Sequence, residues 1–259
     1  MPVGICKLCL QTRDLQDSHM MPKALYKKSR WGGQGNPNPT LVTTKAIVQT
    51  SKQIKDHVFC RDCEQLLNNN RERYVMTLVA EKGKFPLLAG LQTIRPSSVT
   101  PVFTHYDLTD LPEIDRGQLA YYALSIFWRA SIHIWDKADR TKTAIDLGGY
   151  NEVLRKYLLG QSEFPIDVLL MLVVCTDPLS QNSFYMPNKG HADKETYTFL
   201  TRGLNFFMVL GDQVTDAMRG VCIIRGTRKL IQIRSCEEKV IEAARHLASG
   251  HKRPTGKRK

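Results

Sequence analysis

The chain has no long hydrophobic run. Its longest, Leu119 to Trp135, is interrupted by Arg129 and His133 and falls short of the roughly 20 apolar residues that a membrane span needs. The opening Met-Pro-Val-Gly-Ile-Cys has neither the charged n-region nor the apolar h-region of a signal peptide, so a soluble, cytoplasmic protein without membrane partners is expected. Acidic side chains are scarce, with 25 Asp and Glu against 37 Lys and Arg. No internal repeat or low-complexity stretch is present, which argues against a solenoid. Cysteine, at seven, is odd in number and does not read as a disulfide framework.

What is there begins with size. With 259 residues, 42% of them hydrophobic, the chain can bury a substantial core in one large or two modest domains. The formal charge of +12 suits a polyanionic partner, because Lys and Arg that neutralise phosphates release counterions. A protein that is simply basic is the other reading of the same number.

Four of the cysteines fall into two CxxC pairs, Cys6-Lys-Leu-Cys9 and Cys60-Arg-Asp-Cys63. Each pair places two thiolates on one tight turn, and two such turns close a tetrahedral zinc site. Cys6, Cys9, Cys60 and Cys63 are therefore the predicted ligands of a structural zinc, a redox dithiol being the alternative. Cys175, Cys222 and Cys236 lie in or beside apolar stretches and read as buried thiols.

The pattern predicts an α+β protein. Residues 1–83 form a first unit: the CxxC turn, a polar stretch to Pro22, a Gly- and Pro-rich loop from Trp31 to Pro39, and a β-branched strand from Thr40 to Thr50. A partner strand near Lys52 to Phe59 completes a hairpin, and one helix runs from Arg61 to about Lys82. Residues 84–112 are a connection. The second unit, 113–250, opens with an Asp115-x-x-Gln118 capping box ahead of a helix through Trp135, apolar nearly all round and therefore central. Arg129 and His133, one turn apart on it, read as a buried hydrogen-bonded pair, a second active site being the rarer alternative. Beyond a helix at Glu152 to Leu159, strands are expected at Val168–Cys175, Thr196–Leu200, Asn205–Leu210, Val221–Ile224 and Leu230–Ile233. Gly226-Thr-Arg228 would turn between the last two, and Asp177 to Lys194 is a polar loop. Ser235 to Glu238 caps a final amphipathic helix ending at Gly250. The sheet of this unit should be mainly antiparallel.

Around the cysteines the sequence resembles the HNH endonucleases of the treble-clef, ββα-metal type, over about residues 4–80. The features that carry the resemblance are the CxxC, Ser18-His19-Met20-Met21-Pro22, the hairpin, and Cys60-Arg-Asp-Cys63-Glu64, in that order. It implies a metal-dependent nuclease in which His19 is the general base. A neutral imidazole suits that role because imidazole titrates near physiological pH. It also implies that Glu64, and Asn68 one helical turn on, hold a catalytic Mg²⁺ or Mn²⁺. Glu72, two turns on, is a further candidate. DNA ahead of RNA is the implied substrate.

Two positions depart from the family pattern. Ser18 stands where an acidic metal ligand often precedes the base, with Asp17 one residue earlier, and the middle Asn has no counterpart among Lys55, Asp56 and His57. His19 also has a plain reading as a packing histidine, and Glu64 as a helix N-terminal carboxylate that complements the macrodipole. A non-catalytic nucleic-acid-binding module, or a docking subunit of a larger assembly such as a bacterial defence complex, is the competing function. In the basic tail, Lys252, Arg253, Lys257, Arg258 and Lys259 are candidate phosphate contacts of no sequence specificity.

Overall fold

A computed structural model describes residues 1–28, 40–42, 47–49, 53–68, 71–81, 83–135, 145–191, 194–226 and 230–234. In chain order the strands and helices begin with β1 (Val3–Ile5), β2 (Thr12–His19), α1 (Lys23–Lys28), β3 (Thr40–Val42), β4 (Ile47–Gln49) and β5 (Lys55–Cys60). Next come α2 (Arg61–Asn68), α3 (Arg71–Leu78), α4 (Pro86–Leu91), β6 (Ser98–Val99), β7 (Thr104–Asp107) and α5 (Arg116–Ile132). The remainder is α6 (Tyr150–Leu158), β8 (Val168–Cys175), α7 (Pro178–Gln181), β9 (Ser183–His191), β10 (Lys194–Thr201), β11 (Leu204–Leu210), α8 (Asp216–Arg219) and β12 (Leu230–Arg234). The architecture is mixed α and β with mainly antiparallel sheets.

A small sheet of order β1-β2-β5 carries the first cysteines. The partner of β5 is β2, with Asp17 opposite His57 and His19 opposite Lys55. It is not the 40–50 segment, which instead makes two short strands, β3 and β4, paired with each other. β2 escapes notice in the sequence because its inward residues, Leu15 and Ser18, do not make an apolar alternation. Ser18 is buried by hydrogen bonding: its hydroxyl accepts from the Phe59 N–H at 3.2 Å and donates to the Gln16 carbonyl at 3.3 Å. Where one helix is expected after Arg61, two are described, α2 and α3; residues 69 and 70 lie outside the described residues.

The large sheet has order β4-β3-β9-β10-β11-β8-β12-β7-β6. All its pairings are antiparallel except β12 with β8 and β3 with β9. β3 and β4 thus extend the sheet built by the C-terminal half. Asp177 to Lys194 is not a loop. Asp177 caps α7 by accepting from Ser180 N at 2.7 Å, and β9 follows. Pro187 fits in that strand because the register slips between Tyr185 and Asn188, a bulge where no ladder N–H is demanded.

Val221 to Ile224 is not a strand either. It is a chain of turns, with Val221 N–H donating to Met218 O and Gly226 N–H to Cys222 O. Gly226 serves close packing there, since a Cβ would lie 2.3 Å from the Cys222 carbonyl. β12 therefore inserts between β7 and β8. The expected helix after Ser235 and the basic tail lie outside the described residues.

α5 begins as the capping box predicts, with the Asp115 carboxylate accepting from Gln118 N at 3.0 Å. Every residue from Leu119 to Ala130 is buried. Phe127 packs edge-on to Phe199 at 4.9 Å, and Phe199 stacks on Phe206 at 5.1 Å, seating the helix on β10 and β11. The other side of α5 faces the cysteine-bearing hairpin, and one apolar cluster runs through both. No helix among the described residues is long and apolar enough to cross a membrane.

Candidate functional site

The cysteine site is built by two backbone devices. At the first turn Leu10 N–H donates to Cys6 O at 2.8 Å, and Leu10 takes the left-handed φ of 61° that lets the chain leave the turn as β2. At the second, β5 passes directly into α2, so Cys60 ends the strand and Cys63 lies in the helix's first turn. Lys7 N–H donates to Val58 O at 3.1 Å and Cys60 N–H to Cys6 Sγ at 3.3 Å, which locks the turns face to face. The sulfurs of Cys6, Cys9, Cys60 and Cys63 all lie within 4.8 Å of one another.

This arrangement fits zinc. A tetrahedral ion with Zn–S bonds of about 2.3 Å sets its sulfurs about 3.8 Å apart, and Cys9 Sγ and Cys60 Sγ are 3.9 Å apart. The sulfurs compete for protons. The Cys6 thiol falls to about 4, chiefly because the Cys63 thiol donates to it, while that same contact drives Cys63 upward. Four mutually close thiolates are what a dication relieves. From α6, Arg155 braces the first turn: its Nη1 donates to Leu8 O at 2.8 Å while Nε and Nη2 clasp the Glu152 carboxylate. Cys175 and Cys222 are buried, as expected; Cys236 lies outside the described residues.

His19 is the last residue of β2 and half-buried. Its Nε2 lies 2.6 Å from Gln53 Oε1. An amide oxygen only accepts, so this contact puts the ring proton on Nε2 and leaves the Nδ1 lone pair available as a base. Asp17 shares the outward face of the hairpin with His19 and is ion-paired with Lys55. Asp56 is engaged by His133, Oδ2 to Nε2 at 2.9 Å, and accepts from His57 N–H.

The expected Arg129–His133 pair does not form. Arg129 turns to Glu72 Oε1 at 2.6 Å and to the His19 carbonyl at 3.2 Å, while His133, beyond the end of α5, reaches Asp56. Burial pushes the Glu72 carboxyl up against the pull of Arg129. Burial also opposes the Arg129 charge, but the Glu72 and Glu64 carboxylates outweigh it and hold its pKa above the usual value.

Glu64 is half-buried in the first turn of α2, and Asn68 is exposed at its last residue. Both Glu64 and His19 are within electrostatic reach of Glu72, which binds Arg129. Among the described residues, however, the four cysteines are the sole group of three or more His, Cys, Asp or Glu side chains whose ligand atoms converge. His19 and Glu64 belong to no assembled cation cluster.

Sequence reading missed Gln53 and Arg155. Neither sits in a motif, and each acts across a contact of long sequence separation that no local pattern reports. Comparison of the chain with protein-family models, with curated proteins and with solved structures finds no match.

Proposed function

We propose that the protein is an HNH-like nuclease that hydrolyses phosphodiester bonds of nucleic acid, DNA ahead of RNA, on a treble-clef unit held by a structural zinc. One observation carries this reading. The four-cysteine site ties β2, β5 and α2 together, with His19 ending the first strand, Glu64 directly after the last cysteine, and both within electrostatic reach of Glu72. Zinc, when bound, supplies the fold of this unit. His19 Nδ1 takes the proton of the attacking water, and Gln53 keeps the ring in the required tautomer. The net charge of +12 supplies affinity for the phosphate backbone. A site made of reduced thiols fits a cytoplasmic setting.

A catalytic Mg²⁺ or Mn²⁺ has Glu64 and Asn68 as its candidate ligands, and these two do not by themselves make a cation site.

The second reading is a non-catalytic nucleic-acid-binding or docking subunit, of a bacterial defence assembly for example. What favours it is that the carboxylates nearest the base are already engaged. Asp17 is paired with Lys55 and Asp56 with His133, while Ser18, buried, holds the hairpin.

Zinc-loaded protein incubated with plasmid DNA and single-stranded RNA, in Mg²⁺, Mn²⁺ or EDTA, separates the two. The nuclease reading expects divalent-dependent cleavage that vanishes in His19→Ala while zinc is retained. Salt-sensitive binding without cleavage, unchanged in His19→Ala, would establish the binding module instead.

A further inference from the structure

His19 is fixed from outside the hairpin that carries it. Arg129 stands on α5, 110 positions along the chain, yet its Nη1 donates to the His19 carbonyl and its Nη2 to Glu72. The Arg129 side chain is 3% exposed, and its Nε is buried with no hydrogen-bond partner. A guanidinium buried this way is a poor choice for packing. An apolar side chain of the same volume would avoid both the desolvation and the unpaired donor. Its neighbours on α5, such as Leu124, Ile126, Phe127 and Trp128, are the kind of residue that packing alone would select.

The contacts show what the charge does. The carbonyl it grips belongs to the residue that ends β2; the N–H of the same peptide, that of Met20, donates to Ile54 O at 3.0 Å, so Arg129 adds a second hold from outside the hairpin. The carboxylate that grips the guanidinium is Glu72, whose charge is within electrostatic reach of both His19 and Glu64. The imidazole tip is held by Gln53 and the main-chain root by Arg129. A ring tethered at both ends keeps one orientation.

We infer that Arg129, seated by Glu72, is the positioning residue for His19, fixing the strand end so that Nδ1 faces the scissile phosphate. The inference deepens the nuclease reading and rests on it. Arg129 itself is buried and does not touch substrate.

The test compares wild type with Arg129→Lys and with the volume-conserving pair Arg129→Met/Glu72→Leu. The pair removes both charges together, so no lone buried charge remains to unfold the protein. Plasmid cleavage kinetics, zinc content and histidine-ring ¹H–¹⁵N correlation spectra are recorded on the same samples, with His19→Gln assigning the His19 signals. Both variants are expected to retain zinc and KM while kcat falls about 10- to 100-fold, the scale of a misplaced catalytic group. The His19 ring signals should move from a single Nε2-protonated tautomer toward a mixture. Variants that cleave like wild type with unmoved ring signals would overturn the inference. If wild type itself cleaves nothing, the nuclease reading fails. The ring spectra then decide alone whether Arg129 orients His19: shifted signals support it, and unshifted signals overturn it.

Discussion

The ring of Phe59 lies stacked on that of Trp128, centroids 5.8 Å apart and planes 22° from parallel. Phe59 immediately precedes the zinc-ligand candidate Cys60, and Trp128 stands on the central helix α5. Trp135 packs against Phe59 at 6.4 Å, and the Trp128 indole donates to Asn151 O on α6 at 3.0 Å. Through this one aromatic contact the cysteine site, the central helix and the outer helix share a core.

Trp128→Ala should therefore destabilise the whole chain by about 3–5 kcal/mol, the usual cost of deleting a fully buried large aromatic. Trp128→Phe, which keeps a ring against Phe59 and loses only the bond to Asn151, should cost about 1–2 kcal/mol. Urea unfolding followed by circular dichroism measures both. A single cooperative transition in each variant is the further expectation, because the stack belongs to one continuous core.

Arg155 offers a separate handle on the metal. It touches no sulfur but fixes the first CxxC turn through Leu8 O and brings a cation beside Cys9. Arg155→Gln should weaken zinc binding about 10-fold, in line with the loss of an outer-shell partner. Competition with a chromogenic chelator reads this directly. An unchanged affinity would mean that the turn is self-supporting.

The cysteine site was legible in the sequence because its chemistry is local: each CxxC declares its own turn, and only the meeting of the two is tertiary. The strands β8, β10 and β11 were legible as strand-like runs, largely apolar in β8 and β11 and built of Thr and aromatic residues in β10, and Asp115 announced the start of α5. What escaped has a common cause. β2 is buried through Ser18, a polar residue satisfied by Phe59 N–H, so hydrophobic periodicity passes over it. β9 carries Pro187 in a bulge, which reads as a loop until the partner strand is known. Arg129 looked as if it belonged with His133, its neighbour on the helix. Its actual partners, Glu72 and the His19 carbonyl, come from far along the chain.

Two glycine substitutions, one in the β10–β11 turn and one in α4, should act with opposite sign. Gly203 has a φ of 84°, follows Arg202 at 44°, and would place a Cβ 2.8 Å from the Phe85 ring. Gly203→Ala should therefore cost about 1–3 kcal/mol from backbone strain and overpacking. Gly90, in α4, has nothing within 4 Å of its Cβ position, and Gly90→Ala should be neutral or stabilising by up to about 1 kcal/mol. Thermal midpoints of the two variants, measured side by side, should move apart.

Metal removal tests how far the small sheet depends on its ion. β1, β2 and β5 make a three-stranded sheet whose strands are three to eight residues long, too little to stand without the cysteine clamp or the support of α5. Zinc bound by four thiolates contributes on the order of 10 kcal/mol of apparent binding energy, comparable with the whole net stability of a typical domain. One zinc per chain is expected by elemental analysis, and excess chelator should strip it with a large fall in thermal midpoint. Hydrogen exchange locates the damage: residues 3–19 and 55–68 should lose protection first, while β8, β10 and β11, which pair along their full lengths without any metal, should keep theirs. Uniform loss across both sheets would show instead that the Phe59–Trp128 contact transmits the unfolding, and that the ion stabilises the entire core rather than the hairpin alone.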